Sequence, residues 1–271
     1  EAGLLGVSWP KEYGGGGLTA LEQYIFGEEA QRVQAPLPMI TLNTVGPTLI
    51  QYGTDEQKAK FLPAILKGAI DFAIGYSEPG AGSDLASLRT TAVRDGDDYV
   101  INGSKMFTSG AEFADYIWLA ARTDPDAKKH RGITLFMVPT DSAGFSFKPL
   151  HTMPGISTYY TFYDDVRVPA DSIVLGENQG WTLITNQLNL ERAALGNLAA
   201  LKSLFDKTLD WAKTTPLDDG RVIDQPWVQQ ALARVEAQVA AYTLMNLRVN
   251  ASMSCSALGM GAASAAKVFG T

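Results

Sequence analysis

Thr90-Thr91-Ala92-Val93-Arg94-Asp95-Gly96-Asp97-Asp98-Tyr99-Val100-Ile101-Asn102 decides the fold. Two runs rich in β-branched and aromatic residues, Thr90 to Val93 and Tyr99 to Asn102, flank Asp95-Gly96. An Asp-Gly pair supplies the positive φ angles that a tight hairpin turn requires, so the stretch reads as two antiparallel strands. Downstream, Tyr116 to Ala121, Gly132 to Val138, Phe145 to Leu150 and Tyr159 to Val168 repeat the pattern, separated by loops of Asp, Pro, Lys and Gly. Short strands in succession, with no helix between them, predict an antiparallel barrel or sandwich.

On both sides of this zone the apolar period changes to that of a helix. Gly14 to Gly17 cannot be helix interior, and Leu18-Thr19-Ala20-Leu21-Glu22 restarts an amphipathic pattern after it. Thr54-Asp55-Glu56-Gln57 has the spacing of a capping box, predicting a helix that buries Phe61, Leu62, Ile65 and Leu66 and ends near Gly68. Beyond Gly180, Trp181, Ile184, Leu188 and Leu195 fall at helical spacing, and a second helix is expected from about Pro226 to Asn250, with Pro216 and Gly220 marking the intervening loop. The expected organisation is α+β, with a helical zone over 1–70, a β-domain over 71–177 and a helical zone over 178–271. Few enzyme folds carry a β-module between two helical ones.

Composition narrows the function. The 271 residues are 46% hydrophobic, enough for a well-buried core, and 22 Lys plus Arg against 29 Asp plus Glu give a net charge of −7. Such a surface repels nucleic acid and anionic membranes. One cysteine, Cys255, excludes an intrachain disulfide, and the lack of a membrane-length apolar run or basic-then-apolar leader points to the cytoplasm. With only His130, His151 and that cysteine, no zinc or haem site is expected. His151 and Cys255 read as structural. Opening inside a motif at Glu1 and closing on Phe269-Gly270-Thr271, the chain is expected to be a fragment or trimmed to its ordered part.

Three segments carry candidate chemistry. Glu78-Pro79-Gly80-Ala81-Gly82-Ser83-Asp84 follows the apolar stretch Phe72 to Tyr76; its glycines let backbone N–H groups approach an anion or a ring, although spacing alone favours an ordinary turn. A nicotinamide fingerprint fails for lack of a third glycine and a crossover helix, and a P-loop fails for lack of Gly-Lys-Ser/Thr. Lys105-Met106-Phe107-Thr108-Ser109-Gly110 places a ring beside two hydroxyls, which suits one face and an edge of a planar cofactor, or else a surface turn. Glu191 has Leu188, Ala194 and Leu195 at helical neighbour positions. A carboxylate on so apolar a face is either a structural partner, of Arg192 or another arginine, or a base strengthened by desolvation. The basic run Lys128-Lys129-His130-Arg131 reads as a solvated turn, with a nucleotide or coenzyme phosphate as the alternative contact.

Taken in order, these segments resemble the acyl-CoA dehydrogenase family over essentially the whole chain. Trp9-Pro10-Lys11-Glu12-Tyr13-Gly14-Gly15 is similar to its early turn, and Tyr52-Gly53-Thr54-Asp55-Glu56-Gln57-Lys58 with Phe61-Leu62-Pro63 to its substrate-side helix. Tyr76 to Asp84 and Gly103 to Ser109 resemble its two flavin-contact stretches, and Asp165-Val166-Arg167-Val168-Pro169 leading to Gly176 and Gly180 resembles its exit from the β-domain. The resemblance implies an N-terminal helical domain, a central β-barrel and a C-terminal helical bundle.

It also implies a function: FAD-dependent α,β-dehydrogenation of an acyl-CoA to a trans-2-enoyl-CoA, with electrons passing to an electron-transfer flavoprotein. Asn189-Leu190-Glu191-Arg192 matches the members whose base sits early in the last domain, which makes Glu191 the base and places Arg192 near the acyl group. Ile74, Gly75, Tyr76, Ser77, Ser83, Phe107 and Ser109 are then the flavin residues, with Ser83 also meeting the coenzyme A arm. Phe107 stands where the family places tryptophan, and Ile74 where many members place an aromatic. The family's later helices, which hold the adenine end of FAD from a neighbouring subunit, have no counterpart in the sequence. Tyr99 to Gly103 and Lys128 to Gly132 most resemble actinobacterial members acting on steroid side-chain thioesters in mixed assemblies, so a homo- or hetero-oligomer with another acyl-CoA dehydrogenase chain is expected. The alternatives are an oxygen-using acyl-CoA oxidase and a non-catalytic subunit completing a partner's flavin site.

Overall fold

Side-chain caps from Thr19 and Thr54 start two of the early helices. In the computed structural model, which describes residues 3–153, 155, 157–194, 198–253 and 260–270 (without the side chains of 189–194, 253 and 260), α1 spans Ala20–Arg32. The Thr19 hydroxyl caps it and Glu22 reaches back to the Thr19 amide. After a single π-helical turn, Thr41–Val45, come α2 (Gly46–Tyr52) and α3 (Asp55–Leu66). The Thr54–Gln57 capping box forms on α3: the Gln57 amide donates to Thr54 Oγ1 at 3.2 Å, and Gln57 Oε1 accepts from the Thr54 amide at 3.1 Å. Phe61, Leu62 and Ile65 are buried along one face of α3, and Gly68, with φ +66°, follows its end.

The central strands are β1 (Phe72–Gly75), β2 (Thr91–Asp95), β3 (Asp98–Lys105), β4 (Tyr116–Arg122), β5 (Ile133–Pro139), β6 (Phe145–His151) and β7 (Ser157–Pro169). They form one sheet in the order β1-β4-β2-β3-β7-β6, with β5 on β4. The expected hairpin forms, but its two-residue turn is Gly96-Asp97 rather than Asp95-Gly96: Val93 pairs with Val100 and Asp95 with Asp98, and Gly96 carries the positive φ, +66°. Most pairings are antiparallel, but β1 runs parallel to β4, with Ile74 opposite Trp118, and β2 touches β4 in the same sense. A bulge between Ile101 and Gly103 shifts the register with β7. Gly103 has φ +144°, and an added Cβ would lie 2.8 Å from Thr90 Cα, so only glycine fits there. Tyr99, Ile101, Ile117, Leu119, Phe136, Val138, Tyr159, Tyr163 and Val166 fill the core under the sheet.

The helices after the sheet are α4 (Gly180–Ala194), α5 (Leu198–Thr214), α6 (Pro226–Met253) and α7 (Met260–Gly270). The chain divides into two compact units. One holds the sheet, α2, α3 and α4 as far as Leu188; the other holds α1, α5, α6, α7 and the chain from Asn189. In the second, α1 packs on α5 and α6, and Leu198, Tyr242, Val249, Ala263 and Ala266 form the buried seam. Among the described residues no helix is long and apolar enough to cross a membrane.

Candidate functional site

Where β1 and β3 end, the fold brings together two segments far apart in sequence. The Met106 amide donates to Ser77 O at 2.8 Å, so the exits of the two strands lie side by side. Gly75 is buried there, and a Cβ on it would stand 2.8 Å from Ile117 Cγ2 and 3.3 Å from the Tyr163 hydroxyl. Close packing explains this glycine without a ligand. Tyr76 points inward and is buried; its hydroxyl donates to Gln187 Oε1 and accepts from Trp118 Nε1 at 3.2 Å. Ile74 and Ser77 are half-buried.

Beneath these segments lies an ion pair that sequence reasoning missed. Lys105 is fully buried and donates to Glu78 Oε1 at 2.8 Å and to Tyr76 O at 3.1 Å. Glu78, 8% exposed, also accepts from the Thr90 amide at 2.9 Å, the Thr90 hydroxyl at 2.7 Å and the Arg89 amide at 2.7 Å. A buried carboxylate with this many donors meets the demand that interior charge be paired and hydrogen-bonded. Burial pulls the Lys105 ammonium down to about 8, against the opposing attraction of Glu78. Burial pushes Glu78 upward, but the Lys105 charge and the Thr90 donors outweigh it and hold the carboxyl below its ordinary value.

Phe107 stands on the surface just beyond. Its φ of +61° is unusual for a bulky residue, and its ring is 55% exposed. The Thr108 amide, bonded to Tyr159 O at 3.0 Å, fixes the turn from β7. Ser109, exposed, shares a hydrogen bond with the Thr158 hydroxyl at 3.0 Å. Ser83 is exposed in the glycine-rich loop. That loop is fastened to the basic turn: Lys129 Nζ lies 3.0 Å from Asp84 Oδ2. The Arg122 guanidinium donates to Ala86 O at 2.7 Å, Leu88 O at 3.1 Å and Lys129 O at 2.8 Å. His130 is exposed, its ring centroid 5.9 Å from that of Trp181.

On α4, Ile184 is buried as the helical spacing predicts, Trp181 and Leu188 are half-buried and Leu195 lies outside the described residues; Leu183 and the polar Gln187 are buried as well. Gln187 Oε1 accepts from Trp118 Nε1 at 2.8 Å, while its buried Nε2 has no hydrogen-bond partner among the described residues. The backbone carries Glu191 and Arg192 in the last turns of this helix. Their side chains lie outside the described residues, as does Cys255. Among the described residues no group of three or more His, Cys, Asp or Glu could hold a metal. The hydrophobic spacing marked α4, but a buried glutamine carries no periodic signal.

The chain matches three family models in sequence: the acyl-CoA dehydrogenase N-terminal domain over 1–69, the middle domain over 73–166 and the C-terminal domain over 178–271. It is 53% identical to the acyl-CoA dehydrogenase FadE26 of Mycobacterium tuberculosis, across 99% of this chain and 69% of that protein. Among solved structures it is similar to the ChsE4-ChsE5 complex from Mycobacterium tuberculosis, with TM-score 0.92 and 54% identity over 99% of this chain and 70% of that one. It is likewise similar to the Tcur3481-Tcur3483 steroid ACAD, with TM-score 0.92 and 52% identity over 99% and 69% of the two chains. The chain therefore belongs to the acyl-CoA dehydrogenase family, oxidoreductases that act on CH–CH bonds.

Proposed function

We propose that the chain takes part in FAD-dependent oxidation of an acyl-CoA thioester to its trans-2-enoyl-CoA, with 1–70, 71–177 and 178–271 acting as its three domains. One observation carries the reading: the two segments expected at the flavin, Ile74 to Ser77 and Phe107 to Ser109, are bonded side by side through the Met106 amide and Ser77 O at 2.8 Å. The residues fit a planar, polar-edged ring system. Phe107 offers an uncovered aromatic face held out by a backbone that a loose surface turn would not need, and the Ser109 hydroxyl lies in the same turn.

In this reading Ile74, Gly75, Tyr76, Ser77, Ser83, Phe107 and Ser109 hold the cofactor, Gly75 and Tyr76 through their backbone. FAD, when bound, supplies the electron acceptor, and the protein supplies position and electrostatics. An α-proton beside a thioester carbonyl is too weakly acidic for a solvated carboxylate. Glu191 removes it because exclusion of water strengthens the base while hydrogen bonds to the thioester oxygen stabilise the enolate. Arg192 and Ser83 orient the acyl and coenzyme A parts. The substrate carries a bulky, ring-bearing acyl group, a reading supported by the relative described as a steroid ACAD. An electron-transfer flavoprotein reoxidises the cofactor, and a second acyl-CoA dehydrogenase chain joins the assembly, as the similarity to the two-chain ChsE4-ChsE5 complex suggests.

That similarity also favours a second reading, in which the chain completes a partner's flavin site and performs no proton abstraction. Glu191→Gln separates the two. It keeps the shape and removes the base, so anaerobic addition of acyl-CoA should no longer bleach the bound flavin, while flavin absorbance persists. Bleaching at a near-normal rate would move the base to another residue or another chain. A panel of straight-chain, branched and ring-bearing CoA thioesters compared by kcat/KM tests the substrate. Preference for short straight chains over every ring-bearing substrate would overturn the steroid assignment.

A further inference from the structure

The cofactor residues named above are exposed or half-buried at the ends of strands, and something must hold their two segments in register. The Met106–Ser77 hydrogen bond alone is a single contact at the edge of the sheet. The stronger tie lies one residue back, where Lys105 Nζ is fully buried and bonds both Tyr76 O and Glu78 Oε1. Lys105 ends β3, two residues before Phe107, while Tyr76 and Glu78 flank Ser77 just after β1. Glu78 is in turn held by Arg89 and Thr90, where the chain enters β2. One buried ammonium and one buried carboxylate thus clamp three strand ends: the exit of β1, the entry of β2 and the exit of β3.

Stability alone does not call for a charged pair here. The core of the same sheet is apolar, with Ala73, Ala92, Ile101, Ala111 and Ile117 among its buried residues, and apolar side chains of similar volume commonly replace a buried pair without loss of stability. What an apolar replacement lacks is direction. A short, hydrogen-bonded ion pair fixes distance and orientation at the atoms it touches, and those atoms are the backbone on either side of Ser77 and the residue leading to Phe107.

We infer that Lys105 and Glu78 are positioning residues that set the spacing between the Ile74–Ser77 and Phe107–Ser109 walls, and through that spacing the affinity and electronic environment of the bound flavin. This rests on the cofactor reading above. Neither residue touches the cofactor in this account; both act through the backbone segments they hold.

The test is the Glu78→Gln/Lys105→Met double variant of the full chain, assembled as the wild type is. It removes both charges together and so avoids a lone buried charge. Thr90→Val serves as a milder second variant, since it removes the hydroxyl bond to Glu78 at 2.7 Å and a longer one to Ser104 O at 3.4 Å while leaving both charges in place. Leu62→Ala, a core change on α3, serves as a control for lost stability. The readouts are thermal midpoint, FAD affinity by fluorescence titration, the visible flavin spectrum, and amide hydrogen exchange over 76–83 and 105–109.

The expected result is a double variant that still unfolds cooperatively but binds FAD roughly tenfold or more weakly, with a shifted flavin band and faster exchange in both segments. Thr90→Val should move the same readouts less, and Leu62→Ala should lower the midpoint without moving the flavin band. A double variant with wild-type affinity and spectrum overturns the inference. So does a loss of affinity in Leu62→Ala as large as in a double variant of equal midpoint. Should the double variant fail to fold, wild-type affinity, spectrum and exchange in Thr90→Val overturn it instead. A wild type that takes up no flavin at all, alone or with its partner chain, overturns the cofactor reading, and the positioning role falls with it. The two failures are therefore distinguishable.

Discussion

The glycine-rich loop is held at both ends by a lysine and a carboxylate, one pair buried and further hydrogen-bonded by Tyr76, Arg89 and Thr90, the other in water. At the inner end Lys105 and Glu78 are 2.8 Å apart with side chains 0% and 8% exposed. At the outer end Lys129 and Asp84 are 3.0 Å apart with side chains 67% and 59% exposed. Charges and separations nearly match, so Coulomb's law alone would rank them together. The effective dielectric separates them. In water the attraction is largely screened, while in the interior each charge depends on its partner. The inner end is therefore a fixed anchor and the outer end a fastening that opens at little cost.

Breaking the inner pair on one side should have the largest effect. Lys105→Met leaves Glu78 buried without its counter-charge, and Glu78→Gln does the reverse. Each should lower unfolding free energy by about 3–5 kcal/mol, a large part of the stability of a typical protein. Denaturant unfolding of either variant checks this. A loss below about 1 kcal/mol in both would show that water reaches the pair, and the contrast with the outer end would disappear.

The same pair predicts a pH dependence of definite sign. Lys105 in the fold lies at about 8, against an ordinary value of 10.5. Between those values the unfolded chain holds a proton that the folded chain has released, so stability from this group rises with pH across the window and is flat below it. Subtracting Lys105→Met from wild type removes the other titrating groups to first order. The difference in unfolding free energy should widen by on the order of 2 kcal/mol from pH 7.5 to 10.5. A difference that narrows over that range would reverse the assigned direction.

These two anchors also show what could and could not be read from residue order. Thr54 with Gln57 announces α3, and Asp95-Gly96 announces the β2–β3 hairpin, because both are local devices whose partners lie within a few residues. Phe107 and Ser109 could be marked as a ring beside hydroxyls, but not distinguished from a surface turn without the bonds from Ser77 and Tyr159. The Lys105–Glu78 pair spans 27 residues and joins the exits of β1 and β3, strands that are not hydrogen-bonded neighbours in the sheet. No periodicity encodes such a contact. Gln187 was invisible for a related reason: a polar residue on a helix reads as solvent-facing until a tyrosine and a tryptophan from the sheet are found against it.

Just past the outer anchor stands Arg122, which ties the segment after the loop, at Ala86 and Leu88, to the basic turn at Lys129 through three carbonyls. The planar guanidinium serves diverging acceptors at once, and an ammonium on a flexible stem does not. Arg122→Lys should therefore lose more than one of these bonds and cost about 1–3 kcal/mol, less than either inner variant. Faster amide exchange across 84–89 and 128–132, with the sheet core unchanged, is the local signature to look for. Equal protection in wild type and variant would mean that the loop and turn pack without the arginine.

The smallest effect belongs to the outer pair, and its smallness is the point. Lys129 and Asp84 keep most of their side-chain surface in water, so forming the pair gives up little hydration and gains little attraction, and both chains lose rotamer freedom. Asp84→Asn and Lys129→Ala should each change unfolding free energy by no more than about 1 kcal/mol, and a double-mutant cycle should return a coupling of about 0.2–1 kcal/mol. Salt sharpens the test. The Debye length shortens from about 10 Å at 0.1 M to about 3 Å at 1 M, so the outer coupling should fade as salt is raised, whereas the loss in Lys105→Met should persist because no ion enters the inner site. An outer coupling above about 2 kcal/mol, or one indifferent to salt, would mean that another surface covers this end of the loop in the working assembly. Burial, not distance, would then again be what makes an ion pair strong.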